Sequence, residues 1–174
     1  MKRIAQGVGV GCLALVAGTG CAGASAQVNV ERLMHAKPVV PTHSWRLRVP
    51  NDVTLPRRLT RTLCDEFVLL EIHNYDDLSE FYDIIGLPAG TKRPDLNRGM
   101  LIGVIASVGE SMSDDWPVSI EKIRLDGGDG WIRARFHPGA YYPINIAAYC
   151  HLAYIPGLER VMMVEINRRT FVAQ

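Results

Sequence analysis

The sequence predicts an α+β fold, with one small antiparallel β-meander sheet and one packed helix at about residues 75–85. Three observations lead to this prediction. Short apolar runs between residues 100 and 167 alternate with a period of two and are separated by turn residues. The segment 75–85 has its apolar residues at a helical period instead. A helix followed by a run of consecutive strands is typical of α+β domains.

The first 26 residues predict an export signal peptide. Lys2-Arg3 precede an apolar segment, residues 8–17, which has the length of a signal core and is shorter than the roughly 20 residues of a membrane span. Ala24-Ser25-Ala26 fits the small-x-small rule for cleavage, which makes Gln27 the mature N-terminus. An alternative is a lipid anchor on Cys21, in which case the protein is a structural envelope lipoprotein.

Signal cleavage changes the formal charge of the chain. Removing residues 1–26 lowers the number of basic residues from 19 to 17 against 18 acidic ones, so the formal charge changes from +1 to −1. Such a chain has no long-range attraction for nucleic acid. From the signal-peptide pattern we expect an exported protein that is periplasmic, secreted or envelope-anchored, with no membrane span after signal removal. Its expected partner is another exported protein.

Residues 27–60 predict a Pro-rich, partly disordered arm in front of a single α+β domain at residues 61–174. The arm has little periodicity. Only Ser44–Val49 alternates, and this segment is predicted to add an edge strand.

The domain begins with a β-rich run, Phe67–Ile72, followed by the clearest helix of the chain. Asn74 is suited to cap that helix, and Gly86 to end it. One apolar stripe on the helix should face a sheet, and it consists of Leu78, Phe81, Tyr82 and Ile85.

The next strands are predicted from their burial patterns. Met100–Val108 is apolar throughout and rich in β-branched residues, which indicates a central strand covered on both faces. Pro117–Leu125 alternates but slips by one residue, which predicts a β-bulge. The turn Asp126–Gly130 is a hairpin signal. After it, residues 131–136 are predicted to place Ile132, Ala134 and Phe136 inward and Trp131, Arg133 and Arg135 outward.

Two further runs complete the predicted meander. They are residues 144–155 and 160–166, joined by the turn Pro156-Gly157-Leu158. Signal cleavage leaves Cys64 and Cys150 as the cysteines of an exported chain, so we expect them to form a disulfide bond in an oxidising compartment. Two buried thiols are the alternative.

The sequence contains no convincing catalytic or metal-binding pattern. Gly109–Ser113 resembles a nucleophile elbow around Ser111, but its last glycine is missing and no helix follows it. The five histidines show no chelating spacing. We therefore name no catalytic residue, no metal ligand and no cofactor. A hydrolase whose site is assembled from dispersed residues stays open as an alternative function.

Two loops concentrate aromatic residues. They are residues 111–117 and 137–143, stiffened by prolines. Tyrosine and tryptophan on such loops offer a large contact area at low entropic cost, which is typical of recognition surfaces. The candidate binding surface is therefore formed by Trp116, His137, Tyr141 and Tyr142. The alternative is that these rings only cover the end of the sheet.

The order of segments from Gly99 to Asn167 resembles the C-terminal domain of PrcB-like subunits, which are exported proteins associated with secreted proteases. An apolar strand, Gly109-Glu110, a polar loop with Trp116, a strand, a hairpin and two closing strands follow one another. That family has Thr-Gly-Gly-aromatic where this chain reads Ser113-Asp-Asp-Trp116, so the aromatic residue alone matches. The resemblance implies a non-catalytic accessory or interaction domain.

Overall fold

The computed structural model describes residues 31–50, 53–85, 93–111, 116–137 and 141–172. These residues form ten strands and two helices. The strands are β1 Pro38–Val39, β2 His43–Val49, β3 Thr60–Cys64, β4 Phe67–Ile72, β5 Gly99–Ser111, β6 Val118–Asp126, β7 Asp129–Phe136, β8 Tyr141–Pro156, β9 Arg160–Ile166 and β10 Arg169–Val172. Helix α1 is described over residues 31–35, and helix α2 is Tyr75–Ile85.

The strands form two five-stranded sheets. Sheet I has the order β2-β8-β5-β4-β3, and sheet II the order β1-β6-β7-β9-β10. Neighbouring strands are antiparallel except β7 and β9, which run parallel. The predicted α+β class is therefore correct in broad terms. The two sheets contain many more strands than the single small sheet that the sequence predicts.

The prediction of one small meander is wrong, because the two sheets pack face to face around a shared core. Ile102 and Val104 of β5 meet Ile132 of β7 and Val164 of β9 there, and all four are buried. The predicted last hairpin does not form, because β8 lies in sheet I and β9 lies in sheet II. The turn at Gly157 carries the chain from one sheet to the other.

The predicted helix is confirmed as α2, with the predicted bounds. Asn74 caps it, since its Oδ1 accepts a hydrogen bond from the N–H of Asp77 at 2.9 Å. Leu78 and Phe81 are buried against the face of sheet I that points away from sheet II. Sheet I is consequently covered on both faces, which explains why β5 is apolar throughout its buried length.

The predicted bulge and hairpin are also confirmed. The pairing of β6 with β7 shifts register between Ile120 and Lys122. Gly127 and Gly128 form the turn with φ angles of +57° and +90°, a backbone region that residues with a Cβ rarely adopt.

Trp131 lies on the outer face of sheet II, as the alternation predicts, yet it is only 6% exposed. Leu33 of α1 and Met163 of β9 pack against it. Arg124 covers the indole ring at 5.4 Å and also donates a hydrogen bond to the carbonyl of Ala36 at 3.0 Å, just after α1. The outer face of sheet II is thus covered by the segment that precedes β1.

That segment belongs to the region predicted as an arm. Its described residues, 31–50 and 53–60, include α1 and supply edge strands to both sheets. β2 confirms the edge strand predicted at Ser44–Val49. The predicted signal peptide, residues 1–26, lies outside the described residues. No helix within the described ranges is long and apolar enough to cross a membrane.

The expected Cys64–Cys150 disulfide is not formed, and both residues are free thiols. Cys64 lies in β3 and packs towards the core between the sheets, whereas Cys150 lies in β8 within the core beneath α2. Two strands separate β3 from β8, so the backbones are about 14 Å apart at the usual spacing of neighbouring strands. A disulfide requires Cα atoms within about 7 Å of each other.

Candidate functional site

The two aromatic loops leave the same end of sheet I. β5 and β8 pair as far as Ser111 opposite Tyr141, after a register shift between Gly109 and Glu110. Loop 111–117 therefore begins beside the last residues of loop 137–143. The sequence alone leaves this proximity open, because the two loops are separated by two strands along the chain.

The other ends of the loops are also joined. The N–H of His137 donates a hydrogen bond to the carbonyl of Pro117 at 2.8 Å. This bond continues the ladder of β6 and β7 by one residue beyond Val118 and Phe136. Both loops are thus held side by side at both ends. We call the surface around Trp116 and His137 the aromatic end. Residues 112–115 and 138–140, and the side chains of Tyr141 and Tyr142, lie outside the described part of the structure.

Trp116 is half-buried and packs edge-on against Tyr149 of β8, with ring centroids 5.1 Å apart and an interplanar angle of 88°. Its indole Nε1 is buried and has no hydrogen-bond partner among the described residues. Buried indole N–H groups usually have a partner, so the surroundings of Trp116 are incomplete within the described residues.

His137 and His151 are not brought together as a pair. His137 is exposed at the aromatic end, while His151 is 9% exposed in the part of β8 that faces sheet II. Nδ1 of His151 accepts a hydrogen bond from the N–H of Ile120 at 2.7 Å. Burial, and then the positive charge of Arg46, lower the pKa of His151. His151 is therefore a neutral group that links the two sheets. The alternation of β8 assigns its side chain to the inner face but does not identify its partner.

Three aspartates of the β6–β7 hairpin and of α2 are engaged in ion pairs. In the β6–β7 hairpin, Asp126 lies 3.4 Å from Arg32 and Asp129 lies 2.7 Å from Arg160. Asp77 of α2 lies 3.1 Å from Arg58. Across the described ranges, no group of three or more His, Cys, Asp or Glu residues is placed to hold a metal ion.

A cavity of about 260 Å³ lies at the opposite end of the sandwich, where β5 begins and the β8–β9 turn approaches it. Four polar side chains line it, and they are His73, Asn97, Arg98 and Glu159. Beside the cavity, the N–H of Gly157 in the β8–β9 turn donates a hydrogen bond of 2.7 Å to the carbonyl of Arg98, just before β5. His73 and Glu159 are both exposed, so neither has the buried surroundings that tune an acid or a base for catalysis.

Comparison with known proteins yields no relative. No protein-family model matches the chain, and neither the curated proteins nor the solved structures give a significant match. The resemblance to PrcB-like subunits therefore rests on the order of segments and on Trp116. The function has to be argued from the chemistry of the chain itself.

Proposed function

We propose that this protein is an exported, non-catalytic binding or accessory module that recognises another exported protein through its aromatic end. The observation that carries the proposal is the double connection between the two loops. Ser111 is paired with Tyr141, and His137 is hydrogen-bonded to Pro117 at 2.8 Å. The described ends of the two loops therefore lie side by side, although they are far apart in the sequence.

The chemistry of that surface supports recognition. The half-buried Trp116 ring packs against Tyr149, and His137 is exposed at the same end of the sandwich. Rigid aromatic rings are typical of the residues that dominate binding energy at protein interfaces. The strands beneath the loops share one buried core, so the strands themselves need not reorder on binding.

The resemblance to PrcB-like subunits supports the same role, because that family consists of accessory subunits of secreted proteases. The signal-peptide pattern of residues 1–26 supports an exported partner.

The experiment that tests the proposal is site-specific photo-crosslinking in intact cells of the native host. A photoreactive phenylalanine analogue replaces His137 in one variant and Tyr75, an exposed residue at the start of α2, in the other. We expect a discrete partner to crosslink from position 137 and not from position 75. The affinity for that purified partner is then measured for Trp116→Ala and His137→Ala.

We expect both substitutions to weaken binding at least about tenfold, as is usual for central interface residues. Tyr75→Ala is the matched control and should bind like the wild type. His137→Ala removes an exposed side chain, so it separates a loss of recognition from a loss of folding. Equal affinity of all three variants for the purified partner would contradict the proposal.

A further inference from the structure

The two sheets have four edge strands, and they differ in how well they are protected. β1 and β10 close sheet II and are two and four residues long. Such short strands offer few backbone groups to another chain, which is a common way of protecting an edge. β2 and β3 are the edges of sheet I.

The β3 edge is irregular and is bridged to sheet II. Its pairing with β4 shifts register between Thr62 and Cys64. Arg61 reaches across to sheet II and donates to the carbonyl of Val161 at 3.5 Å. Arg169 of β10 lies 3.5 Å from Glu66, in the β3–β4 turn. A bulge and side-chain bridges both hinder the docking of an additional strand.

The β2 edge is longer than β1 and β10 and has no bulge. β2 is seven residues long and pairs with β8 without a register shift, from His43 opposite Tyr154 to Val49 opposite Ala148. No described strand pairs with its other side. In an antiparallel strand, every second residue directs its N–H and C=O to one side. About half of the backbone groups of β2 therefore face an open edge.

The charge of β2 selects the kind of strand that fits. Its exposed residues alternate along the strand, and they are Ser44, Arg46 and Arg48. β2 contains no acidic residue, and no described residue forms an ion pair with Arg46. Two copies pairing through β2 would place arginines opposite or near one another, which is unfavourable. A segment with acidic residues at alternate positions would instead place opposite charges across the new pair.

The β2 edge is continuous with the aromatic end. Arg48 is paired with Tyr149, and the ring of Tyr149 packs against Trp116. A strand that runs along β2 therefore reaches the aromatic end where β2 finishes. The same partner protein can contact both surfaces.

We infer that the open edge of β2 binds an extended acidic segment of a partner protein, which is added to sheet I as a sixth strand. This inference rests on the proposed function as a binding module and names the form that the partner takes. Backbone hydrogen bonds along β2 supply affinity, and the charge of Arg46 supplies selectivity.

The test uses a synthetic peptide, Ac-Thr-Glu-Val-Glu-Val-Glu-Val-Thr-NH2, and its counterpart with lysine in place of each glutamate. Amide hydrogen exchange of the full mature chain is measured by NMR at low ionic strength with each peptide. We expect the acidic peptide to slow the exchange of alternate amides within residues 43–49. The lysine peptide should not protect them.

Arg46→Glu reverses the charge on the β2 edge, and Arg57→Glu reverses that of another exposed arginine, in the turn before β3. We expect Arg46→Glu to weaken binding of the acidic peptide about tenfold, and Arg57→Glu to leave it unchanged. Equal affinities for the two variants, protection of β3 instead of β2, or a β2-mediated dimer in sedimentation would each overturn the inference. Trp116→Ala should leave peptide binding intact, so the inference can fail while the role of the aromatic end stands.

Discussion

The imidazole of His151 accepts a hydrogen bond from the backbone N–H of Ile120, and this bond of 2.7 Å joins sheet I to sheet II. Ile120 is opposite Ala134 of β7, but Ala134 gives its carbonyl to Asn167 on the other side of β7. The N–H of Ile120 therefore points away from β7. β1 pairs only with Ile123 and Arg124 of β6, so His151 satisfies a donor that β1 does not reach.

This bond predicts that stability falls in mild acid. A proton on Nδ1 of His151 would face the N–H of Ile120, so two donors would oppose each other. Burial and the charge of Arg46 also lower the pKa of His151 in the folded state. Its stabilising contribution is complete above the unfolded pKa of about 6.5, and decreases as the pH falls from there towards the folded pKa. Urea unfolding between pH 7.5 and 5 measures this loss.

The control separates His151 from the other titrating groups. Two charged residues of the facing sheet, Glu121 and Arg135, form an ion pair with each other at 3.5 Å. The charged neighbour that lowers the pKa of His151 is Arg46, on the same sheet as His151. We expect His151→Gln to flatten the dependence on pH between 6.5 and 5, and His137→Gln to leave it as in the wild type. A His151→Gln curve parallel to the wild-type curve would contradict the prediction.

Removing the positive charge beside Glu71 should destabilise the fold. Glu71 is buried, and its Oε2 lies 2.6 Å from Nη2 of Arg61. Arg61→Met leaves a buried carboxylate without its partner, and we expect a loss of about 2 kcal/mol in the free energy of unfolding. Urea denaturation measures it. In the double variant Arg61→Met, Glu71→Leu much of this stability should return, and a strictly additive loss would refute the explanation.

The two free thiols should react at different rates. Cys150 is fully buried, and burial raises the pKa of its thiol, so it forms little of the reactive thiolate. Cys64 is half-buried at the β3 edge. With a thiol-specific chromogenic reagent at pH 8, we expect Cys64 to react in the native protein and Cys150 only after denaturation. Fewer than two reactive thiols in denaturant without reductant would show that the cysteines are oxidised.

The two glycines of the β6–β7 turn should respond differently to a methyl group. Both have positive φ, but a Cβ on Gly127 would meet open space, whereas one on Gly128 would lie 2.8 Å from Cδ of Glu159. We expect Gly127→Ala to cost about 1 kcal/mol from backbone strain, and Gly128→Ala about 0.5 kcal/mol more, because the exposed Glu159 side chain can move aside. Thermal unfolding compares them. In a Glu159→Ala background the difference between the two variants should disappear, and its persistence would contradict the steric explanation.

Local patterns predict much of this fold because the forces behind them are local. The stripe from Leu78 to Ile85 identifies α2, the slip around Ile120 identifies the bulge, and Gly127 and Gly128 identify the hairpin. Each of these signals depends on residues that are neighbours in the sequence. The same kind of local pattern identified the two aromatic loops, 111–117 and 137–143, whose ends meet at one end of sheet I.

The partners of the strands and the roles of single buried residues were not predictable in this way. Alternation assigns a face to a residue such as Trp131, but it does not show that Leu33 covers that face, nearly 100 residues away. The parallel pairing of β7 with β9, and the bond between His151 and Ile120, depend on which strands meet in space. The Cys64–Cys150 prediction failed for the same reason, since it assumed proximity without a topology.

The position of β8 also constrains how the chain acquires its structure. β8 lies between β2 and β5, so sheet I stays divided until residues near 150 are available to join Val49 to Ile105. Pairings this remote in sequence make folding slow and late. A nascent or truncated chain would remain open with apolar strands exposed, a state that is prone to aggregate or to need a chaperone.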